Sequence, residues 1–144
     1  MLVLFLFVIF WVVLSYALGI YLTKVFNDEL TFLSPIENFS YRLSGVRGRE
    51  MGFRSYLKAL LSFNAIGFSV LLIILMIQGA LPLNPESFSS LDFPLAFNIA
   101  ASFTTNTNWQ SYAGETTLSY FSQMMGLGVQ NFLSAATGMC CLLA

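Results

Sequence analysis

The run Thr104-Thr105-Asn106-Thr107-Asn108 offers hydroxyl, amide and backbone carbonyl oxygens with no charge among them. Such oxygens can replace the hydration shell of a monovalent cation without holding it too tightly to leave. A divalent ion would want carboxylates in the ring. Upstream, Ser90 or Asp92 can cap a helix with Pro94 in its first turn. Residues 94–103 then read as a helix, and its apolar run Leu95–Phe103 gives roughly 14 Å, about half a bilayer. A half-length helix followed by an oxygen-rich extended strand at 104–108 has the layout of a re-entrant pore loop. Entering from outside, the helix turns its partly negative C-terminal end inward, which favours a cation there. Non-helical backbone at that depth needs protein or a watery cavity around it. A plain outer loop of turn residues is the other reading of the same composition. Trp109 and Tyr112 suit an interfacial belt equally well, and Glu86, Asp92 and Glu115 are either solvated charges or cation concentrators at the mouth.

The elements that must hold such a loop are membrane spans. The 144 residues are 57% hydrophobic and only 9% charged, against about 25% charged for a soluble domain. So few charges cannot cover the outside of a water-soluble domain, and disorder would need low hydrophobicity. All six basic residues, Lys24, Arg42, Arg47, Arg49, Arg54 and Lys58, lie in one stretch with four acids. After Lys58 the chain holds three acids and no base.

This pattern predicts an all-α integral membrane protein. Residues 1–23 form a transmembrane helix with the N-terminus outside, and residues 24–57 a basic loop kept in the cytoplasm. A signal peptide is the competing reading of 1–23, since Ser15-Tyr16-Ala17 resembles a cleavage site. Against it stand the missing basic n-region and the length of the apolar run. Residues 58–81 form the second span, 82–118 the extracytoplasmic pore loop, and 119–144 an incomplete third span. Gln123, Gln130 and Asn131 interrupt that last stretch, leaving only Phe132–Ala144 free of strongly polar groups, too short to cross alone. Within the basic loop, Ser34-Pro35-Ile36-Glu37 reads as a capping box, with Ile36, Phe39 and Leu43 on one face and Gly45 as the stop. That predicts a short amphipathic helix in the inner interface, with an irregular loop as the alternative.

Other chemistry is not expected. There is no histidine, and Cys140-Cys141 fall inside the predicted third span, so no zinc site or nucleophile–base pair can be assembled. No G-x-x-x-x-G-K-[ST] motif offers an ATP site, so the chain is not expected to be an enzyme by itself. No basic block suits nucleic acid.

Thr105-Asn106-Thr107-Asn108-Trp109-Gln110-Ser111-Tyr112, then Gly114 to Gln123, then Val129 to Ala136, resemble the N-terminal quarter of the potassium-transporting ATPase A subunit of bacterial Kdp complexes. Arg49-Glu50-Met51 and Leu81 to Pro85 fit the same family, and the likeness covers residues 45–138. The resemblance implies one extra N-terminal helix followed by four pseudo-symmetric span–pore-loop–span units, of which this chain holds the first, truncated in its last span. It implies a multi-pass protein of the bacterial inner membrane that selects K+ outside. The ion passes to an ATP-hydrolysing B subunit of P-type ATPase class, and a small C subunit completes the complex. Thr105, Asn106, Thr107 and Asn108 would be the first filter strand, with Gln110 just beyond. Asn108 stands where the other strands of the family carry glycine. A small membrane interaction protein, or a truncated product with no transport of its own, is the reading from a different class.

Overall fold

Alternation of long apolar runs with short polar breaks leaves the backbone one economical choice in a membrane, the helix, which satisfies its own hydrogen bonds. The computed structural model describes residues 1–27, 29, 30, 32, 34–45 and 51–143, and every element among them is helical. Arg47, Arg49 and Glu50 of the expected basic loop, and Ala144, lie outside the described residues. The chain divides into two units, residues 1–50 and residues 51–144.

In the first unit, α1 (Leu2–Phe26) carries no charge before Lys24 in its last turn. Its 25 residues give about 38 Å, and none of them is buried by protein. The helix runs three residues past the expected end at Thr23. Helix α2 (Ser34–Ser44) has Glu37 in its first turn and Arg42 in its last, each at the end of the helix dipole that favours it. Ile36, Phe39 and Leu43 are all exposed. Gly45 follows at φ +67, the left-handed conformation that ends a helix and that glycine adopts without strain.

In the second unit, α3 (Phe53–Met76) is followed by a 3-10 turn, Gln78–Ala80, then α4 (Phe93–Thr104) and the single turn α5 (Gly114–Thr117). A seven-residue π-helical stretch, Ser122–Gly128, leads into α6 (Val129–Leu143). Both α1 and α3 are long and apolar enough to cross a bilayer. Helix α3 starts five residues before the expected 58, since Arg54 and Lys58 on its first turns can lay their stems along it and keep their charges in water. It ends five residues before the expected 81, where Gln78 turns inward. Leu71 and Leu75 of α3 pack with Ala96, Ile99, Ala100 and Phe103 of α4, and with Leu118 and Leu127, in one buried cluster.

The third stretch corrects the expectation of an interrupted helix. Helical structure is unbroken over residues 120–143, roughly 35 Å. Of the three polar residues expected to interrupt it, Gln130 is buried, as are Ser122 and Ser134. Gln123 is half-buried with its amide donating to Leu118 O and Gly114 O, and Asn131 is exposed. Ser122, Gln130 and Ser134 meet protein, while Val129, Phe132, Met139 and Leu142 are exposed, so most of the polarity that interrupts the sequence lies on one face of a helix in space.

Candidate cation site

Helix α4 is one residue longer at each end than the predicted 94–103. Asp92 occupies its N-cap position with extended backbone, Pro94 sits in the first turn, and neither Asp92 nor Ser90 caps through its side chain. The Ser90 hydroxyl instead accepts a bond from the Gly79 amide at 3.4 Å. At the other end Thr104 is still helical, and Thr105 continues the pattern by donating its N–H to Ala101 O at 3.0 Å. The expected extended run at 104–108 is therefore a helical residue at 104, a helical C-cap at Thr105 and a turn from Asn106 onward.

Beyond Thr105 the chain folds back on the last turn of α4. The carbonyl of Ser102 accepts the N–H of Thr107 at 3.0 Å and that of Asn108 at 3.3 Å. In a trans peptide the C=O lies antiparallel to the N–H of the following residue. With both N–H groups turned toward Ser102, the carbonyls of Asn106 and Thr107 point away from α4, on the same side. This geometry needs unusual backbone, and Asn106 (φ 58) and Asn108 (φ 53) provide it. Asparagine tolerates the left-handed region better than almost any residue with a side chain.

Side chains brace the same turn. Thr105 Oγ1 donates to Ala101 O at 2.9 Å, Thr107 Oγ1 donates to Ser102 O at 3.2 Å, and the two threonine hydroxyls lie 3.0 Å apart. Ser102 Oγ donates to the Trp109 carbonyl at 2.9 Å. Ser134 of α6 reaches Asn106 Oδ1 at 3.4 Å. Thr105, Asn106, Thr107, Asn108 and Gln110 are all exposed, on one continuous stretch of surface. The structure thus brings the four strand residues together around Ser102, and leaves Gln110 beyond the braced turn. Tyr112 is half-buried, its hydroxyl has no partner among the described residues, and burial pushes its phenol above the ordinary 10.0.

Two supporting residues gave no sign in the sequence. Ser102 lies in an apolar helical run and has no motif around it. Gln78 falls inside the expected second span, 58–81, and it is fully buried with both ends of its amide engaged. Its Nε2 donates to Ser89 O at 2.7 Å and Thr117 O at 2.9 Å, and its Oε1 accepts Ser119 N–H at 3.2 Å and Ser122 Oγ at 3.1 Å. The one available signal was a glutamine between an apolar run and a glycine, which is a signal many loops share.

Residues 5–144 match the family model described as the potassium-transporting ATPase A subunit. The chain belongs to that family. It is 54% identical to the potassium-transporting ATPase potassium-binding subunit of Listeria monocytogenes serovar 1/2a, over 96% of this chain and 25% of the relative. The subunits of the same name from Clostridium perfringens and Sorangium cellulosum are 48% and 52% identical, over 96% and 91% of this chain. They are covered over 25% and 23% of their own lengths. The chain thus spans about a quarter of these A subunits, and the match includes the turn just described. For a member of an integral membrane family, an all-helical build with two membrane-length helices is the expected class of architecture.

Proposed function

We propose that this A-subunit chain contributes one strand of a K+ filter to an ATP-driven potassium uptake system of the bacterial inner membrane. Thr105, Asn106, Thr107 and Asn108 supply the oxygens, and Gln110 stands at the outer approach. The observation that carries this reading is the Ser102 anchor, which turns two successive carbonyls to one side. Uncharged oxygens arranged in this way suit a monovalent ion that must bind and leave. One strand is only part of a ring, so the other oxygens come from equivalent strands around a common axis. ATP is hydrolysed on a B subunit, to which the ion is delivered, and a small C subunit belongs to the same complex.

Residues 24–57 face the cytoplasm, with α2 in the inner interface. Helices α1 and α3 span, residues 82–118 enter from outside, and residues 120–143 span as well. The polar face of that last helix then lies against protein and its apolar face against lipid.

A chimaeric transporter tests the filter reading. The matching quarter of the Listeria subunit is replaced by this chain, and the complex is assembled with its partners. Asn108→Lys places a fixed positive charge at the strand and should raise the KM for K+ more than about tenfold, with loss of K+-stimulated ATP hydrolysis. Unchanged K+ dependence in both assays would remove the strand from the filter and favour a membrane interaction role.

A further inference from the structure

We infer that Ser102 is a positioning residue that sets where the row of strand oxygens ends, an inference that rests on the filter reading above. Its backbone and its side chain act on opposite legs of the same turn. The carbonyl holds the N–H groups of Thr107 and Asn108, and it also lies 3.4 Å from Thr105 Oγ1 and 3.2 Å from Thr107 Oγ1. The hydroxyl takes the carbonyl of Trp109 at 2.9 Å. That bond draws the Trp109 oxygen toward α4, while the peptide planes before it direct the Asn106 and Thr107 oxygens away from α4. Ser102 therefore separates carbonyls available to an ion from one that is committed to protein.

Burial fixes the anchor. Ser102 is 7% exposed, between Ala101 and the core residue Phe103 on a helix whose Ala96, Ile99 and Ala100 have no exposure. The hydroxyl can reach the strand from this position because α4 ends only two residues later. Thr107 Oγ1 lies 3.5 Å from Ser102 Oγ, so the same hydroxyl also borders the middle of the strand.

Removing the hydroxyl leaves the Ser102 carbonyl and the core packing in place but frees Trp109. The oxygens beyond Thr107 then lose their fixed position, and ordering them on ion binding weakens affinity. In the chimaeric transporter, Ser102→Ala should raise the KM for K+ about tenfold while maximal turnover changes by less than about twofold. Its preference for K+ over Rb+ should shrink in parallel. Ser102→Thr restores the hydroxyl and should recover most of the parental KM. A parental KM and K+/Rb+ ratio in Ser102→Ala would overturn the assignment. So would a fall in turnover and assembled complex at constant KM, which marks a purely structural role. Asn108→Lys measured in the same preparations keeps the two ideas apart. An effect of Asn108→Lys without one of Ser102→Ala sinks the positioning role alone, whereas insensitivity to Asn108→Lys sinks the filter reading itself.

Discussion

A single buried amide fastens the outer end of the second unit. Gln78 sits just past the end of α3, yet its four hydrogen bonds reach Ser89 before α4, Thr117 at the end of α5, and Ser119 and Ser122 at the start of the last helix. An amide has two donor hydrogens and one acceptor oxygen with two lone pairs, so this environment uses its full capacity. Replacement by leucine of similar size would leave two carbonyls, the Ser119 N–H and the hydroxyl hydrogen of Ser122 without their partner at a fully buried position. At about 1–3 kcal/mol for each unsatisfied buried group, Gln78→Leu should cost about 3 kcal/mol or more. Thermal unfolding of the chain in detergent measures this, with the midpoint expected to fall by several degrees. A midpoint equal to that of the parent would show that the amide bonds are replaceable by water. Gly79 beside it is confined for a different reason, since a Cβ there would lie 3.1 Å from the backbone nitrogen of Ser90. Backbone cannot move aside as a flexible side chain can.

Helix α3 meets α6 and the π-helical stretch before it closely at two glycines. A Cβ on Gly67 would lie 2.8 Å from Gln130 Oε1, and one on Gly126 would lie 3.0 Å from Leu71 Cδ1. Without a hydrophobic force between helices in lipid, such close approach and polar contacts hold them together. Two contacts of this kind follow the same direction: Thr137 Oγ1 lies 3.4 Å from Asn64 Oδ1, and Tyr56 donates its hydroxyl to Cys140 O at 2.7 Å. Gln130, Ser134 and Thr137 recur at helical spacing and mark the inward face of α6. A spin label tests that face in nanodiscs. At Phe132→Cys, where the side chain is 81% exposed, lipid-soluble oxygen should relax the label readily. At Ser134→Cys, where exposure is 5%, collisions should be few. Equal accessibility at the two positions would contradict the inward polar face. The π-helical stretch Ser122–Gly128 precedes this face, and Gln123 Nε2 spans its start by donating to Leu118 O at 2.9 Å and Gly114 O at 3.2 Å.

At the scale of the molecule, charge sets orientation. Six basic residues between Lys24 and Lys58, against none in the following 86 positions, are the basis for the proposed cytoplasmic side of that loop. An impermeant thiol reagent on intact cells checks this after the native Cys140 and Cys141 have been replaced by serine. Ser89→Cys should be labelled and Ser40→Cys protected; the reverse pattern would invert the proposed topology. In the proposed orientation the C-terminal end of α4 would point into the membrane, so that its dipole and the strand oxygens would favour the same sign of ion.

The residue types and their order along the chain were enough to show an all-helical membrane protein, a half-length helix and an uncharged oxygen-rich strand after it. Charge imbalance, apolar run length and proline position act locally or along one helix, so they can be read without knowing what packs on what. The specific run from Thr105 to Tyr112 carried the family. Three features needed the tertiary structure. Thr104 joined the helix rather than the strand, because its neighbour Thr105 found a helical partner in Ala101 O. The last helix proved continuous, because Ser122, Gln130 and Ser134 meet protein instead of lipid. Ser102 and Gln78 became anchors only when residues five to 44 positions away folded onto them. Hydrogen bonds across such distances depend on where helices pack, and no local spacing in the chain encodes that.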